Sequence, residues 1–171
     1  MNTLTRRTAA LLLAVTSTTC LLAPAAAARV LYVSPTTATE ILPVVTRPYD
    51  PPATQWAAGH RGVDVLAVPG SPIYAAGTGT VSFVGPVATV PTLSIVHPSG
   101  IRTTYQPVDP IVIIGQRVHA GQLIGTVSDQ PAGHLGLHWG ALTGRKKYMN
   151  PLHLLVDPNI RLKPAHALGN A

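Results

Sequence analysis

An all-β fold, a small antiparallel β-sandwich or barrel, follows from three features of this 171-residue chain. From Val44 onward, glycines and prolines punctuate it so closely that no amphipathic helix of ordinary length fits between them. The stretches they leave are short runs of β-branched and other apolar residues, several alternating with polar ones. A motif of about a dozen residues then occurs twice. Hydrophobic residues make up 46% of the chain and charged residues 11%, so one packed domain with short appendages is expected rather than extended disorder.

Residues 1–28 read as a secretory signal peptide. Arg6-Arg7 form its charged start, Thr8 to Leu22 its apolar run, and Pro24-Ala25-Ala26-Ala27-Ala28 the small residues a signal peptidase requires. The run is too short and interrupted for a membrane span. Thr5-Arg6-Arg7 hints at twin-arginine export, but no Phe-Leu follows, which favours general secretion. Cys20 is the only cysteine, and Ser17-Thr18-Thr19 before it makes a poor lipidation signal. Cleavage near Ala28 leaves a mature chain without a thiol, so any metal there must be held by histidine and carboxylate.

From Arg29 onward ten Lys and Arg stand against six Asp and Glu. Apart from Arg145-Lys146-Lys147 the cations are scattered, with few aromatic residues between them. No nucleic-acid partner is expected from that pattern. It suits residence near an anionic polymer such as a bacterial wall, and equally an ordinary basic surface. A secreted monomer is expected.

Residues 29–48 are rich in Pro, Thr and Ala and read as an extended lead-in, with one edge strand at Val30 to Val33. The domain proper is expected over 49–156, followed by a polar tail over 157–171. Within the domain, strands are predicted at Val63 to Val65, Thr80 to Val84, Leu93 to Val96, Ile101 to Tyr105, Gln122 to Val127 and Leu137 to Leu142. The repeat aligns Gly70 with Gly115, Ile73 with Val118, Ala75 with Ala120, and Gly79-Thr80-Val81 with Gly125-Thr126-Val127, given one inserted residue. Each copy reads as a turn, an inward apolar residue, a second turn and a return strand, so that two hairpins close a sandwich or barrel.

Of seven histidines, four read as surface or packing residues: His97 beside a turn, His119 in the second repeat, His153 near the chain's end and His166 in the tail. His60 lies in a Gly-flanked loop four residues before Asp64. With Val63 and Val65 turned to the core, Asp64 faces the other side of its strand, where it can meet His60. A carboxylate in such an apolar run wants a cation or several loop amides. In Leu137-His138-Trp139-Gly140-Ala141, the apolar residues share one face and His138 points from the other. Two histidines and an aspartate with a fourth position open is the arrangement of a catalytic rather than a structural zinc.

These motifs resemble the lysostaphin-like murein endopeptidases: His60-x-x-x-Asp64, the paired G-x-x-V/I-x-A repeats, and Leu137-His138-Trp139-Gly140 as a divergent, actinobacterial secreted version of the late motif. The resemblance runs from about Tyr49 to Leu155. It implies the duplicated hybrid β architecture, zinc held by His60, Asp64 and His138, and peptidoglycan peptides as substrate. In the family a helper histidine precedes the last ligand by two residues, and a second follows a strand tyrosine by two. Here Gly136 and Pro107 hold those places. His134, two residues before Gly136 in a Gly-flanked segment, is the one nearby substitute for a lost catalytic group, against the competing and stronger reading of a loop histidine. Three readings therefore stand: a zinc endopeptidase of the cell wall, a hydrolytically weak module that binds wall peptides or regulates a partner hydrolase, and a purely structural β domain.

Overall fold

The computed structural model describes residues 32–54, 56–129, 136–144 and 147–156. Among the described residues, eleven strands alternate with turns: β1 (Val45–Arg47), β2 (Gly62–Val65), β3 (Pro72–Tyr74), β4 (Gly79–Val87), β5 (Val90–Val96), β6 (Ile101–Gln106), β7 (Val108–Pro110), β8 (Arg117–Val118), β9 (Leu123–Val127), β10 (Leu137–Thr143) and β11 (Lys147–Met149). A 3₁₀ turn, Pro151–Leu154, is capped by Asn150, whose side chain accepts from the Leu152 N–H. No helix among the described residues is long and apolar enough to cross a membrane.

All pairings are antiparallel. The larger sheet runs β1-β2-β10-β6-β5-β4-β8, with β11 pairing the far end of β10, and the smaller runs β3-β9-β7. The inward residues of both sheets meet in one core. Val63, Val65, Leu93, Ile95, Tyr105, Leu137 and Trp139 come from the large sheet, and Ile73, Val108, Ile124 and Val127 from the small one. The alternation predicted for β2 and β10 holds: Val63, Val65, Leu137, Trp139 and Ala141 are fully buried.

The two repeat copies pair with each other rather than folding back as separate hairpins. The arm Pro72-Ile73 of the first copy lies against Gly125-Thr126 of the second, and Arg117-Val118 of the second lies against Gly79-Thr80 of the first. Matching hydrogen bonds close the exchange: Gly70 N–H to Val127 O, and Gly115 N–H to Val81 O, both 2.8 Å. Reciprocity buries Ile73 and Val118 under partners far away in sequence, and so joins the two sheets.

Within 29–48, Val45–Arg47 forms β1 at the edge of the large sheet beside β2. The predicted edge strand at Val30 to Val33 is represented, among the described residues, by an isolated bridge from Tyr32 to Gly77. The leader, Cys20, His166 and the tail lie outside the described residues.

His97 does stand at a turn, the tip of the β5–β6 hairpin, yet it is a packing residue: it is 2% exposed. One ring nitrogen is 2.9 Å from the Thr78 carbonyl and the other 2.8 Å from the Thr103 hydroxyl, which lies 2.9 Å from the Tyr105 hydroxyl. The Tyr105 oxygen in turn accepts from the Ala76 N–H at 2.9 Å. This chain ties the turn after β5 and strand β6 to the segment Ala76–Thr78 of the first repeat. Burial lowers the His97 pKa, partly offset by its bond to Thr78, and pushes the Tyr105 hydroxyl up to about 12.

Candidate metal centre

Strand pairing sets the site. β10 lies beside β2 with His138 directly opposite Asp64, both turned away from the core. The segment from Pro48 to Asp50 then closes over the loop that carries His60. Asp50 and His60 exchange backbone hydrogen bonds, and the His60 Nδ1 lies 2.6 Å from the Pro48 carbonyl. His60 and Asp64 are consequently buried, at 3% and 2% exposure, while His138 stays open on its groove side at 12%.

Three polar atoms converge. His60 Nε2 is 2.9 Å from Asp64 Oδ1, His138 Nδ1 is 2.8 Å from the same oxygen, and the two nitrogens are 3.0 Å apart. The Pro48 carbonyl can only accept, so His60 Nδ1 donates to it, and in that tautomer the lone pair a metal would use is on Nε2. That lone pair faces the carboxylate oxygen and the His138 nitrogen. Such a cluster is repulsive until a proton or cation sits among its members. Two nitrogens and one carboxylate oxygen are a donor set that zinc accepts, with ligand atoms of a tetrahedral zinc about 3.4 Å apart for bonds of about 2.0–2.2 Å. The observed separations need to open by only about half an ångström to match. Among the described residues, this is the group of three or more His, Cys, Asp or Glu side chains able to hold a metal ion.

Gly62 makes room for the third member. A Cβ there would lie 2.8 Å from Cε1 and Nε2 of His138 and 2.5 Å from the Trp139 carbonyl. The His138 ring thus rests on a glycine of the neighbouring strand.

From His138 a groove of about 570 Å³ opens across the outer face of β10, β6, β5 and β4. Successive cross-strand rows floor it: His138 and Gln106, then Gly140, Thr104 and Ser94, then Leu142, Arg102 and Val96. Gln106 was not singled out by the sequence motifs. It follows the buried Tyr105 in β6, and its amide donates to the Thr92 hydroxyl at 2.7 Å. Only the strand register could have placed it beside His138.

The places of the two helper histidines are closed. Gly136 has φ +93°, and a Cβ there would collide with the Val65 carbonyl oxygen and lie 2.9 Å from the Ala67 nitrogen. Pro107 is buried and has no side-chain donor, its carbonyl taking the Ser128 N–H at 3.2 Å. His134, the substitute named from sequence, lies outside the described residues.

A small antiparallel β domain that gathers two histidines and an aspartate at the head of an open groove is of the metallopeptidase type. Residues 58–151 match the model of Peptidase family M23, and the chain belongs to that family. The protein Rv2891 of Mycobacterium tuberculosis is 45% identical over 136 residues, covering 74% of this chain and 53% of the relative. The chain therefore spans about half the length of Rv2891 and of its Mycobacterium bovis counterpart. The Escherichia coli lipoprotein YgeR is 35% identical over 100 residues, 57% of this chain and 39% of YgeR. Among solved structures, a zinc-containing peptidase from Vibrio cholerae aligns with TM-score 0.54 and 27% identity, over 71% of this chain and 38% of that one. The lysostaphin catalytic domain of Staphylococcus simulans aligns with TM-score 0.53 and 22% identity, over 63% and 88%, a likeness of fold. The lysostaphin-like resemblance read from the motifs, and the all-β fold it implied, are borne out.

Proposed function

We propose that this protein is a secreted zinc metalloendopeptidase acting on peptidoglycan peptides, with His60, Asp64 and His138 as the ligands. The convergence of His60 Nε2, Asp64 Oδ1 and His138 Nδ1 within 3.0 Å carries the reading. Family membership and the zinc-containing peptidase from Vibrio cholerae support it. When bound, zinc supplies Lewis acidity, polarising a peptide carbonyl and lowering the pKa of a water. The chain's own residues do the rest. Pro48 holds His60 in the tautomer that offers Nε2, its carbonyl fixing the ring as such bonds orient metal-binding histidines. The β2–β10 pairing fixes Asp64 against His138, and Gly62 leaves the ring its place. The groove admits an extended chain along the exposed face of the sheet.

A second reading has its own observation. Positions 107 and 136 carry no proton-transferring side chain, and the backbone at 136 leaves no space for one. Proton transfer and oxyanion stabilisation each contribute on the order of a hundredfold or more, so their loss slows hydrolysis sharply. A zinc-containing module that binds wall peptides or regulates a partner hydrolase is the alternative this favours.

His60→Ala tests the shared premise of both. The variant should purify without zinc and melt at lower temperature than wild type, which should hold about one zinc per chain. Equal metal content in the two proteins would remove the site from either reading.

A further inference from the structure

The charge of the groove is one-sided. Arg61 and Arg102 line it, and no Asp or Glu lines it among the described residues. The two arginines differ in how they are held. Arg61 is oriented by the Ala57 carbonyl at 3.4 Å and lies 5.8 Å over the Tyr148 ring. Arg102 is exposed and makes no ion pair among the described residues. In a sheet, a cation adds stability when a carboxylate lies opposite it on the next strand. The residues opposite Arg102 are Leu142 on β10 and Val96 on β5, both aliphatic.

Distance along the strand relates this cation to the metal set. Gln106 stands opposite His138, and Arg102 is four residues back along the same face of β6. At about 3.3 Å per residue the two positions are about 13 Å apart. The floor between them is uncharged, built from Thr104, Ser94 and the Gln106–Thr92 pair, which suits hydrogen bonding to a peptide backbone.

We propose that Arg102 is a specificity-determining residue that binds a free carboxylate on an extended peptide, three to five residues from the bond presented to His60, Asp64 and His138. This deepens the peptidase reading and rests on it for the position of the cleaved bond, though not for the charge preference. The ligand class is an acidic peptide. A neutral or basic peptide of the same length would find nothing at the far end of the groove.

The probes are synthetic glycine–alanine peptides carrying one Glu at stepped positions, each with a Gln twin. Binding to the purified full chain would be measured by calorimetry at low and high salt, alongside cleavage. A Glu peptide of the right spacing should bind about tenfold tighter than its Gln twin, with the gap narrowing as salt screens the pair. Arg102→Gln should erase the preference with an unchanged melting temperature. Arg102→Glu should transfer the preference to a peptide bearing Lys at the same position. Equal binding of the Glu and Gln peptides, or a preference that survives in Arg102→Gln, would overturn the assignment. A charge preference that depends on Arg102 without any cleavage would uphold the anion site and count against the peptidase reading alone. Failure to bind any peptide would overturn the proposal.

Discussion

Replacing Gly62 by alanine adds one methyl group, and its consequences can be worked out from the packing of β2 on β10. The new Cβ would lie 2.5 Å from the Trp139 carbonyl oxygen and 2.8 Å from two atoms of the His138 ring. The carbonyl belongs to a paired strand whose side chain is the largest in the core, so it yields little. The carbonyl clash can be relieved only by local separation of β2 from β10, and the ring must also retreat by roughly 0.6 Å to reach an ordinary contact, about three times the ±0.2 Å that metal–ligand distances tolerate. Overpacking of this kind costs about 1–3 kcal/mol, a fivefold to hundredfold loss if it falls on metal affinity. Gly140→Ala is the control, because its Cβ would meet chiefly the Thr104 hydroxyl, a side-chain atom able to rotate, with the His138 ring 3.9 Å away. Zinc affinity by competition with a chromophoric chelator, together with thermal melting, distinguishes the two. Gly62→Ala should lose zinc affinity and Gly140→Ala should nearly keep it. Wild-type affinity in Gly62→Ala would refute the claim that His138 is held in ligand position by its seat on that glycine.

Further expectations concern the buried network and the substitute histidine. Tyr105→Phe strands the Ala76 N–H and one bond of Thr103, and should cost about 1–3 kcal/mol in denaturant unfolding. Because burial holds the His97 pKa below its ordinary value near 6.5, the unfolded chain takes up that proton first as pH falls. Its contribution is thus complete above pH 6.5 and is lost as pH drops through the folded value, which His97→Gln should blunt in a pH series of melting temperatures. Tyr105 acts at the other extreme: unfolded tyrosine ionises near pH 10 while the folded hydroxyl holds its proton to about 12, so stability should fall between those values. His134→Ala should abolish turnover with zinc retained if His134 replaces a lost helper, and unchanged turnover would exclude that role.

How far the sequence could be read depended on whether a feature was local. β2 and β10 were legible because Val63, Val65, Leu137, Trp139 and Ala141 alternate with polar or small residues, and the same alternation turned Asp64 and His138 outward together. The repeat was legible as two similar units, but similarity does not say which partner each arm takes. The exchange between Ile73 and Gly125, and between Val118 and Gly79, is a long-range choice. Strands of two or three residues, such as β1, β3, β7, β8 and β11, are too short to show a period. The β4–β5 hairpin was underestimated for another reason. Its two-residue turn is Ala88-Thr89 with φ of 46° and 75°, where Asn-Gly would have been the readable signal. His97 could be classed as a packing histidine, yet its links to Thr78 and Thr103 needed the register of β4, β5 and β6. The same is true of Gln106, whose place beside His138 is a cross-strand relation.

If the His60–Asp64–His138 set hydrolyses peptide bonds, the purified zinc-loaded chain releases new amino groups from peptidoglycan. His60→Ala and a chelator-treated sample serve as paired controls. Amino groups should accumulate with time in the wild-type reaction and in neither control. Zinc near one per chain with no release would contradict the peptidase account and leave the binding or regulatory module.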